Sequence, residues 1–266
     1  RCAPIQINFL GYPGSMGVNF IDYLIADQIV IPKKNKSKFS EKIIYLGNCY
    51  QPNMNKREIA KKKYKRFDFN LPENSFVFSS FNTNYKISPK MFDIWMKILI
   101  NVPNSVLWIL VDNKYAEENI KLASRKKGVD ENRIIIANKL PVEEHLTRIG
   151  LADLFLDTYP YSAHTTASDA VRMGLPIVTI QGDSFASRVA SSILSNVNLN
   201  ELIVSSLENY QNLSIKLATD KIFYENIKKK LLNSLKTTSL FDSKKFTKNL
   251  ENIYTDLFNK NFNKEK

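Results

Sequence analysis

Cysteine, histidine and long apolar runs are what this sequence has least of. Its two cysteines, Cys2 and Cys49, stand apart with no CxxC and no Cys/His cluster, which excludes a disulfide framework and a zinc module. The longest uninterrupted apolar stretch, Val106 to Val111, is six residues, against the roughly 20 that a membrane-spanning helix needs. No membrane partner is expected. No signal peptide opens the chain, so a cytoplasmic, reducing location is expected, and a first residue of Arg1 rather than Met points to upstream sequence. Acids are outnumbered, 26 Asp and Glu against 38 Lys and Arg, and form no cluster suggesting a divalent metal. Histidine occurs twice, as His145 and His164. What is present suffices for a core: 266 residues, 44% hydrophobic with sixteen Phe, enough for one large domain or one and a half ordinary ones. That composition excludes a disordered chain.

The net charge of +12 raises the question of nucleic acid, and its distribution argues against it. Twelve Lys and Arg face two acids, Glu41 and Glu58, between Lys33 and Arg66, so one segment carries most of the excess. A basic run can track phosphates. Here, however, Lys, Asn and Ile saturate the whole chain, as in an AT-rich coding sequence. No aromatics recur in the run at a base-stacking rhythm, and KKNKSK reads as a solvated loop. A nucleic-acid partner is not expected.

Strand and helix signals alternate from about residue 75. Ser75 to Phe81 is β-rich. Ser88-Pro89 reads as an N-cap with proline at the first helical position, ahead of Met91, Ile94, Trp95, Ile98 and Leu99 on one helical face. Strands are expected at Val106 to Val111, Arg133 to Ala137, Leu154 to Leu156 and Pro176 to Ile180. Helices are expected at Lys114 to Lys127 (closed by Gly128), Pro141 to Ile149, Thr165 to Met173 (closed by Gly174) and Ser184 to Leu194. Short apolar strands separated by amphipathic helices indicate a doubly wound α/β domain with a parallel sheet. Two helical patterns, packing helices rather than a domain, are expected from about Asn212 to Asn259. Residues 1 to 50 hold three strand-like runs, Ile5 to Leu10, Tyr23 to Ile25 and Ile43 to Leu46, with GYPGSMG as a tight turn between the first two. Asn48 to Asn74 reads as a connector plus one basic helix, Lys56 to Arg66. The simplest picture is the tail of one α/β domain, a linker, and a nearly complete second domain.

In such sheets, ligands bind beyond the carboxyl ends of the strands, where loops meet helix N-termini. Four segments fall there. Ser162 to Asp169 (SAHTTASD) opens a helix with His164, Thr165 and Thr166, offering hydroxyls, backbone N–H groups and the helix dipole to an anion. Simple capping needs one hydroxyl rather than this set. Phe81 to Lys86 (FNTNYK) places a lysine after a strand and before a helix, where an ammonium can sit on a diphosphate or simply face solvent. Pro141 to His145 puts the second histidine at another helix start, in position to stack on a base or bond a sugar, or to serve structure alone. Leu10 to Gly17 has three glycines in seven residues, which permit positive φ and close backbone approach, but it is neither GxGxxG nor a P-loop. From the residues alone, the chain is an α/β protein binding an anionic ligand, with a nucleotide diphosphate as the natural example.

These segments, in this order, resemble the catalytic region of the protein O-linked N-acetylglucosamine transferase and SPINDLY family. The stretches that carry the resemblance are APIQINFLGYPGSMG, FNTNYKISP followed by VPNSVLWIL, LPVEEHLTRIGLADLFLDT, and AHTTASDAVRMGLPIVTIQGDSFASRVA, the last being the most specific. The resemblance implies a GT-B architecture, two facing Rossmann-like lobes. Residues 1–52 would be the C-terminal part of the first lobe, and 53–266 the second, nucleotide-binding lobe with its terminal helices. The family's upstream half of the first lobe and its tetratricopeptide repeats are not within these residues. The implied activity is inverting, metal-independent transfer of a sugar from a nucleotide diphosphate to Ser or Thr hydroxyls, with UDP-N-acetylglucosamine as donor, a protein as acceptor and no cofactor.

Carried over position by position, Lys86 would neutralise the leaving diphosphate, with His164 beside phosphate and sugar, and these two form the catalytic pair. Thr165 and Thr166 would donate to the diphosphate, His145 would lie against the base, and Asp169 would hold the ribose. Leu10 and Gly11 would approach the sugar from the other lobe. The family often has Gln where Thr83 stands, Lys where Val142 stands, and Asn-Gly where Ser162-Ala163 stands. Because these positions touch nucleotide and sugar, a GDP-fucose donor is the alternative. Further alternatives are another GT-B enzyme acting on nucleotide sugars without a protein acceptor, and a basic, non-catalytic binding module built on Lys33 to Arg66.

Overall fold

The computed structural model describes residues 1–262; the last four residues of the expected second lobe, 263–266, lie outside the described residues. Two parallel sheets organise the chain. The first has three short strands in the order β1-β2-β3: β1 (Ile7–Asn8), β2 (Tyr23–Ala26) and β3 (Lys42–Tyr45). The second has six: β4 (Phe76–Ser80), β5 (Ser105–Leu110), β6 (Ile134–Ala137), β7 (Leu154–Leu156), β8 (Ile177–Ile180) and β9 (Ile203–Val204), in the order β6-β5-β4-β7-β8-β9. All its pairings are parallel. Strand order runs outward one way from β4 and the other way from β7, the doubly wound pattern, so the topological switch point lies between these two central strands.

The helices of the second sheet, except the last, follow the expected boundaries closely. They are α1 (Pro89–Asn101), α2 (Lys114–Lys126), α3 (Val142–Ile149), α4 (Thr165–Arg172) and α5 (Val189–Ser195). Ser88 caps α1 by accepting from the Met91 amide at 3.3 Å, and Met91, Ile94, Trp95, Ile98 and Leu99 are all buried, as the spacing predicts. Gly128 and Gly174 take φ of +78° and +72° after α2 and α4, the left-handed conformation that ends a helix. A buried bond chain ties helices to sheet: Trp95 Nε1 donates to the Tyr210 hydroxyl (3.3 Å), which donates to the Asp157 carbonyl just past β7 (2.9 Å).

Five expectations are corrected. The basic helix over Lys56 to Arg66 does not form. That stretch runs without regular structure and ends in a single 3₁₀ turn, Arg66–Phe69, because its backbone bonds to α3 instead of to itself: the Ala60 amide donates to the Glu143 carbonyl (3.1 Å) and to Thr147 Oγ1 (3.0 Å). The helix expected over Ser184 to Leu194 breaks at Arg188. A 3₁₀ turn, Phe185–Ser187, precedes α5, and Arg188 instead donates from Nε to the Ile29 carbonyl (2.6 Å) and from Nη1 to the Gly182 carbonyl (2.8 Å). The C-terminal region holds three helices rather than two, α6 (Leu207–Thr219), α7 (Lys221–Ser234) and α8 (Ser243–Phe262), starting before Asn212. The glycine segment is not a tight turn but part of an irregular loop from Phe9 to Asp22, and KKNKSK winds into an exposed 3₁₀ turn.

The two sheets meet through a buried carboxylate. Asp27, just past β2, accepts from the amides of Ile29, Val30 and Tyr50 at 2.8–2.9 Å and from Ser192 Oγ of α5 at 2.6 Å. Helix α8 returns to the first sheet, stacking Phe246 on Phe9 with centroids 6.2 Å apart. The two sheets are thereby held as the walls of one cleft.

Candidate functional site

The switch point brings the ends of β4 and β7 side by side, and their loops build the site. After β7, the Asp157 carboxylate is fully buried and accepts from the amides of Thr158 and Ala163 (both 2.7 Å) and from Thr179 Oγ1 (2.6 Å). Burial pushes its pKa up to about 6 despite these bonds and the nearby Lys86. The intervening loop folds back on this carboxylate and delivers the Ser162 carbonyl and the His164 ring to the end of β4.

There Lys86 donates from Nζ to the Ser162 carbonyl at 3.1 Å and stands 4.2 Å from the centre of the Tyr161 ring. Tyr161 in turn stacks on His164, centroids 5.0 Å apart. Burial lowers the Lys86 pKa, with Asp157 opposing it. Burial also lowers that of His164, to about 4, and the Lys86 charge adds to the effect. His164 is therefore a neutral imidazole at physiological pH, a hydrogen-bonding group beside a cation.

His164 is the N-cap of α4 but makes no side-chain capping bond, and the first turn of α4 contains no acid. By helix geometry the amides of Thr165 and Thr166 have no intrahelical acceptor, and among the described residues none other is bonded to them. Thr166 Oγ1 donates to Asn82 Oδ1 at 3.2 Å, fixing α4 to the end of β4, and Asn82 Nδ2 is buried without a partner. This is the chemistry of an anion cradle: an ammonium, free amides, hydroxyls and a positive helix end.

A cavity of about 420 Å³ extends from this helix start, lined by Leu10, His164, Thr165, Asp169, Arg57 and Arg172 among others. Asp169 is buried and paired with Arg57, a contact the sequence offered no sign of. Burial raises its pKa while Arg57 holds it down. Leu10 reaches this cavity from the first sheet with φ of +64°, a strained conformation for leucine, while the other positive φ of its loop falls on Gly17. Gly11 follows in open space. Thr83 is exposed, its carbonyl accepting from the Lys86 amide (3.0 Å). Gly11, Thr83, Lys86, His145 and Thr166 do not line the cavity.

His145, on α3, sits edge-on to Phe81 with centroids 5.2 Å apart, and its Nδ1 accepts from Arg148 Nε at 3.1 Å. Burial first, then Arg148 and Arg57, lower its pKa to about 4. Arg148 is the second residue missed by sequence reasoning. It is 1% exposed, packed over Phe81, Trp108 and Phe69, and gives Nη1 to the Asn138 carbonyl (2.7 Å), while Nη2 has no partner. A buried guanidinium donor left unbonded is costly. Its one visible signal was a spacing of three from His145.

Among the described residues no group of three or more His, Cys, Asp or Glu could hold a metal, and no helix is long and apolar enough to cross a membrane.

Comparison with known proteins identifies the family and the fold. The model of glycosyl transferase family 41 matches residues 1–57 and 56–250. The probable UDP-N-acetylglucosamine–peptide N-acetylglucosaminyltransferase SEC of Arabidopsis thaliana is 36% identical over 97% of this chain and 27% of its own length. The enzyme named SPINDLY in Solanum lycopersicum, with the same probable activity in its name, is 32% identical over 97% of this chain and 28% of its own. The chain thus spans about a quarter of these curated relatives. Among solved structures, a Thermobaculum terrenum O-GlcNAc transferase mutant superposes with a TM-score of 0.84 at 27% identity, covering 97% of this chain and 49% of that one. WaaG, a glycosyltransferase of lipopolysaccharide biosynthesis, shares the fold with a TM-score of 0.64 at 14% identity, over 88% of this chain and 63% of its own. The architecture is GT-B.

Proposed function

Because the chain belongs to glycosyl transferase family 41, we propose that it carries the donor-nucleotide site of an inverting, metal-independent transfer of N-acetylglucosamine from UDP-N-acetylglucosamine to Ser and Thr hydroxyls of proteins. In this reading residues 53–266 are the nucleotide-binding lobe and residues 1–52 the C-terminal part of the lobe that faces it. The observation that carries the reading is the meeting of Lys86 with the acid-free start of α4 at the switch point. The names of the relatives favour the donor and the peptide acceptor. The free thiols Cys2 and Cys49 suit a reducing cytoplasm.

The acceptor hydroxyl oxygen bonds to the anomeric carbon as the bond from that carbon to the diphosphate oxygen breaks on the opposite face; the bonding pair leaves with the diphosphate, and the hydroxyl proton passes to solvent water. Positive charge develops on the sugar and negative charge on the departing diphosphate. Lys86, the Thr165 and Thr166 amides and the α4 dipole stabilise that negative charge where it grows, which lowers the barrier rather than merely tightening binding. His164, neutral, hydrogen-bonds at the junction of phosphate and sugar. Asp169 accepts from the ribose hydroxyls, Leu10 and Gly11 close over the sugar, and Arg148 Nη2 finds its acceptor in a carbonyl of the base beside His145. A carbonyl-seeking donor accepts uracil and disfavours the amino edge of cytosine.

Calorimetric titration with UDP and with GDP, on the native chain and on Lys86→Ala, tests the assignment. UDP binding that the substitution weakens by about tenfold or more supports it. A preference for GDP keeps the mechanism and changes the donor, to GDP-fucose. Binding of neither nucleotide to a folded chain defeats it.

A further inference from the structure

The connector between the two sheets does not loop into solvent; it crosses the flank of α4. Residues 53–57 have no regular structure, yet three residues of the helix grip them. Ser168 Oγ donates to Asn53 Oδ1, Arg172 donates to the carbonyls of Met54 and Asn55, and Asp169 accepts from Arg57 Nη1. The Ser243 amide at the start of α8 donates to Asn55 Oδ1 and holds the strap from its other side. Arg57 is mostly covered, with 22% of its side chain exposed, and it lines the same cavity as Thr165 and His164. It takes Oδ1 of Asp169; among the described residues, Oδ2 accepts no hydrogen bond.

We propose that Arg57 is a positioning residue for nucleotide recognition: it anchors the Asp169 carboxylate through Oδ1 and leaves Oδ2 to accept the ribose hydroxyls. The inference rests on the reading of Asp169 as the ribose residue and adds to it that the inter-lobe connector sets the charge and aim of that residue. The physical reason is the burial of Asp169. A carboxylate out of water favours the protonated form, and a protonated carboxyl has lost acceptor capacity toward a diol. The charged groups facing it are Arg57 from the connector and Arg172 from its own helix. Arg172 is already engaged with Met54 and Asn55, so Arg57 supplies the direct contact.

The test is equilibrium titration with UDP and with 2′-deoxy-UDP between pH 5 and 8, on the native chain, Arg57→Ala, Arg57→Lys and Asp169→Asn, each confirmed folded by circular dichroism. The native chain should prefer UDP by about tenfold or more. Arg57→Ala should shrink that preference toward the Asp169→Asn value while changing 2′-deoxy-UDP affinity little. Its UDP affinity should also fall at a higher pH than that of the native chain, because Asp169 then protonates more readily. Arg57→Lys should restore part of the preference, and it carries the comparison if the alanine variant does not fold. If Arg57→Ala weakens both nucleotides equally, with ratio and pH profile unchanged, Arg57 only packs the connector and the inference is overturned alone. If the native chain shows no preference for the ribose hydroxyl, the ribose assignment of Asp169 falls and takes this inference with it.

Discussion

Helices α3 and α4 are both eight residues long and both start beyond the carboxyl end of a parallel strand, each with a histidine close by, yet they are electrostatic opposites. The first turn of α3 carries Glu143 and Glu144, and its neighbours complete it: the Glu143 carbonyl takes the Ala60 amide, and Glu144 takes the Tyr64 hydroxyl. Its positive end is satisfied by its own acids. The first turn of α4 has no acid and no side-chain cap, and Lys86 stands beside it. A helix start is an anion site only where the chain has not already supplied the anion. The histidines differ in the same way. His145 accepts from a buried arginine against Phe81, a shape suited to a base, whereas His164 stacks on Tyr161 beside the cation.

The contrast breaks most sharply at the cation. In a protein competent for transfer, Lys86→Ala should lower turnover by about 10²–10³-fold, the usual loss when one preorganised donor to a developing anion is removed, while Glu144→Gln in α3 leaves turnover within about twofold. Initial rates at saturating donor distinguish the two. Giving α4 what α3 has comes next: Thr165→Glu should weaken UDP binding by roughly ten- to thirtyfold through repulsion and a satisfied dipole, and calorimetry reads it. On the α3 side, Arg148→Met should cost UDP affinity about tenfold and leave inorganic pyrophosphate binding unchanged. Equal losses for both ligands would move Arg148 out of the base site.

A smaller effect lies in the pH dependence of stability. In the fold His145 and His164 take up a proton only near pH 4, below the ordinary histidine value of 6.5. Between those limits the unfolded chain binds more protons, so their contribution to stability is complete above about pH 6.5 and is lost as pH falls toward 4. The melting temperature of the native chain should therefore drop more from pH 7 to 4.5 than that of His145→Gln, by a few degrees in a thermal scan. Smallest of all, replacing Lys33, Lys34, Lys36 and Lys38 with serine should leave UDP affinity within about twofold, since that exposed 3₁₀ turn contributes nothing to the lining of the cavity.

Much of this was legible because the signals are local. Ser88-Pro89, Gly128 and Gly174 mark helix ends through backbone geometry alone, and His164-Thr165-Thr166 marks a helix start whose first turn holds no acid. The basic stretch from Lys56 was misread for the converse reason. Lysine is a good helix former, but the acceptors for the Ala60 amide are on α3, far along the chain, and outcompete an isolated helix with no apolar face. The same distance hid Arg57 and Arg148. Nothing near Arg57 in sequence shows that Asp169 will meet it, and nothing near Arg148 shows that one of its donors will be buried without an acceptor.

The sequence by itself determined the alternation of strand and helix, hence the doubly wound sheet, and which helix start would be open to an anion, because periodicity, caps and dipoles act over a few residues. Only the tertiary structure decided that Lys86 would lie against the Ser162 carbonyl, that Leu10 would reach across from the other sheet, and that the connector would bring Arg57 to Asp169. Those meetings depend on which strands become neighbours at the switch point and on burial that makes an unpaired charge costly, and both are properties of the assembled fold rather than of any short stretch of chain.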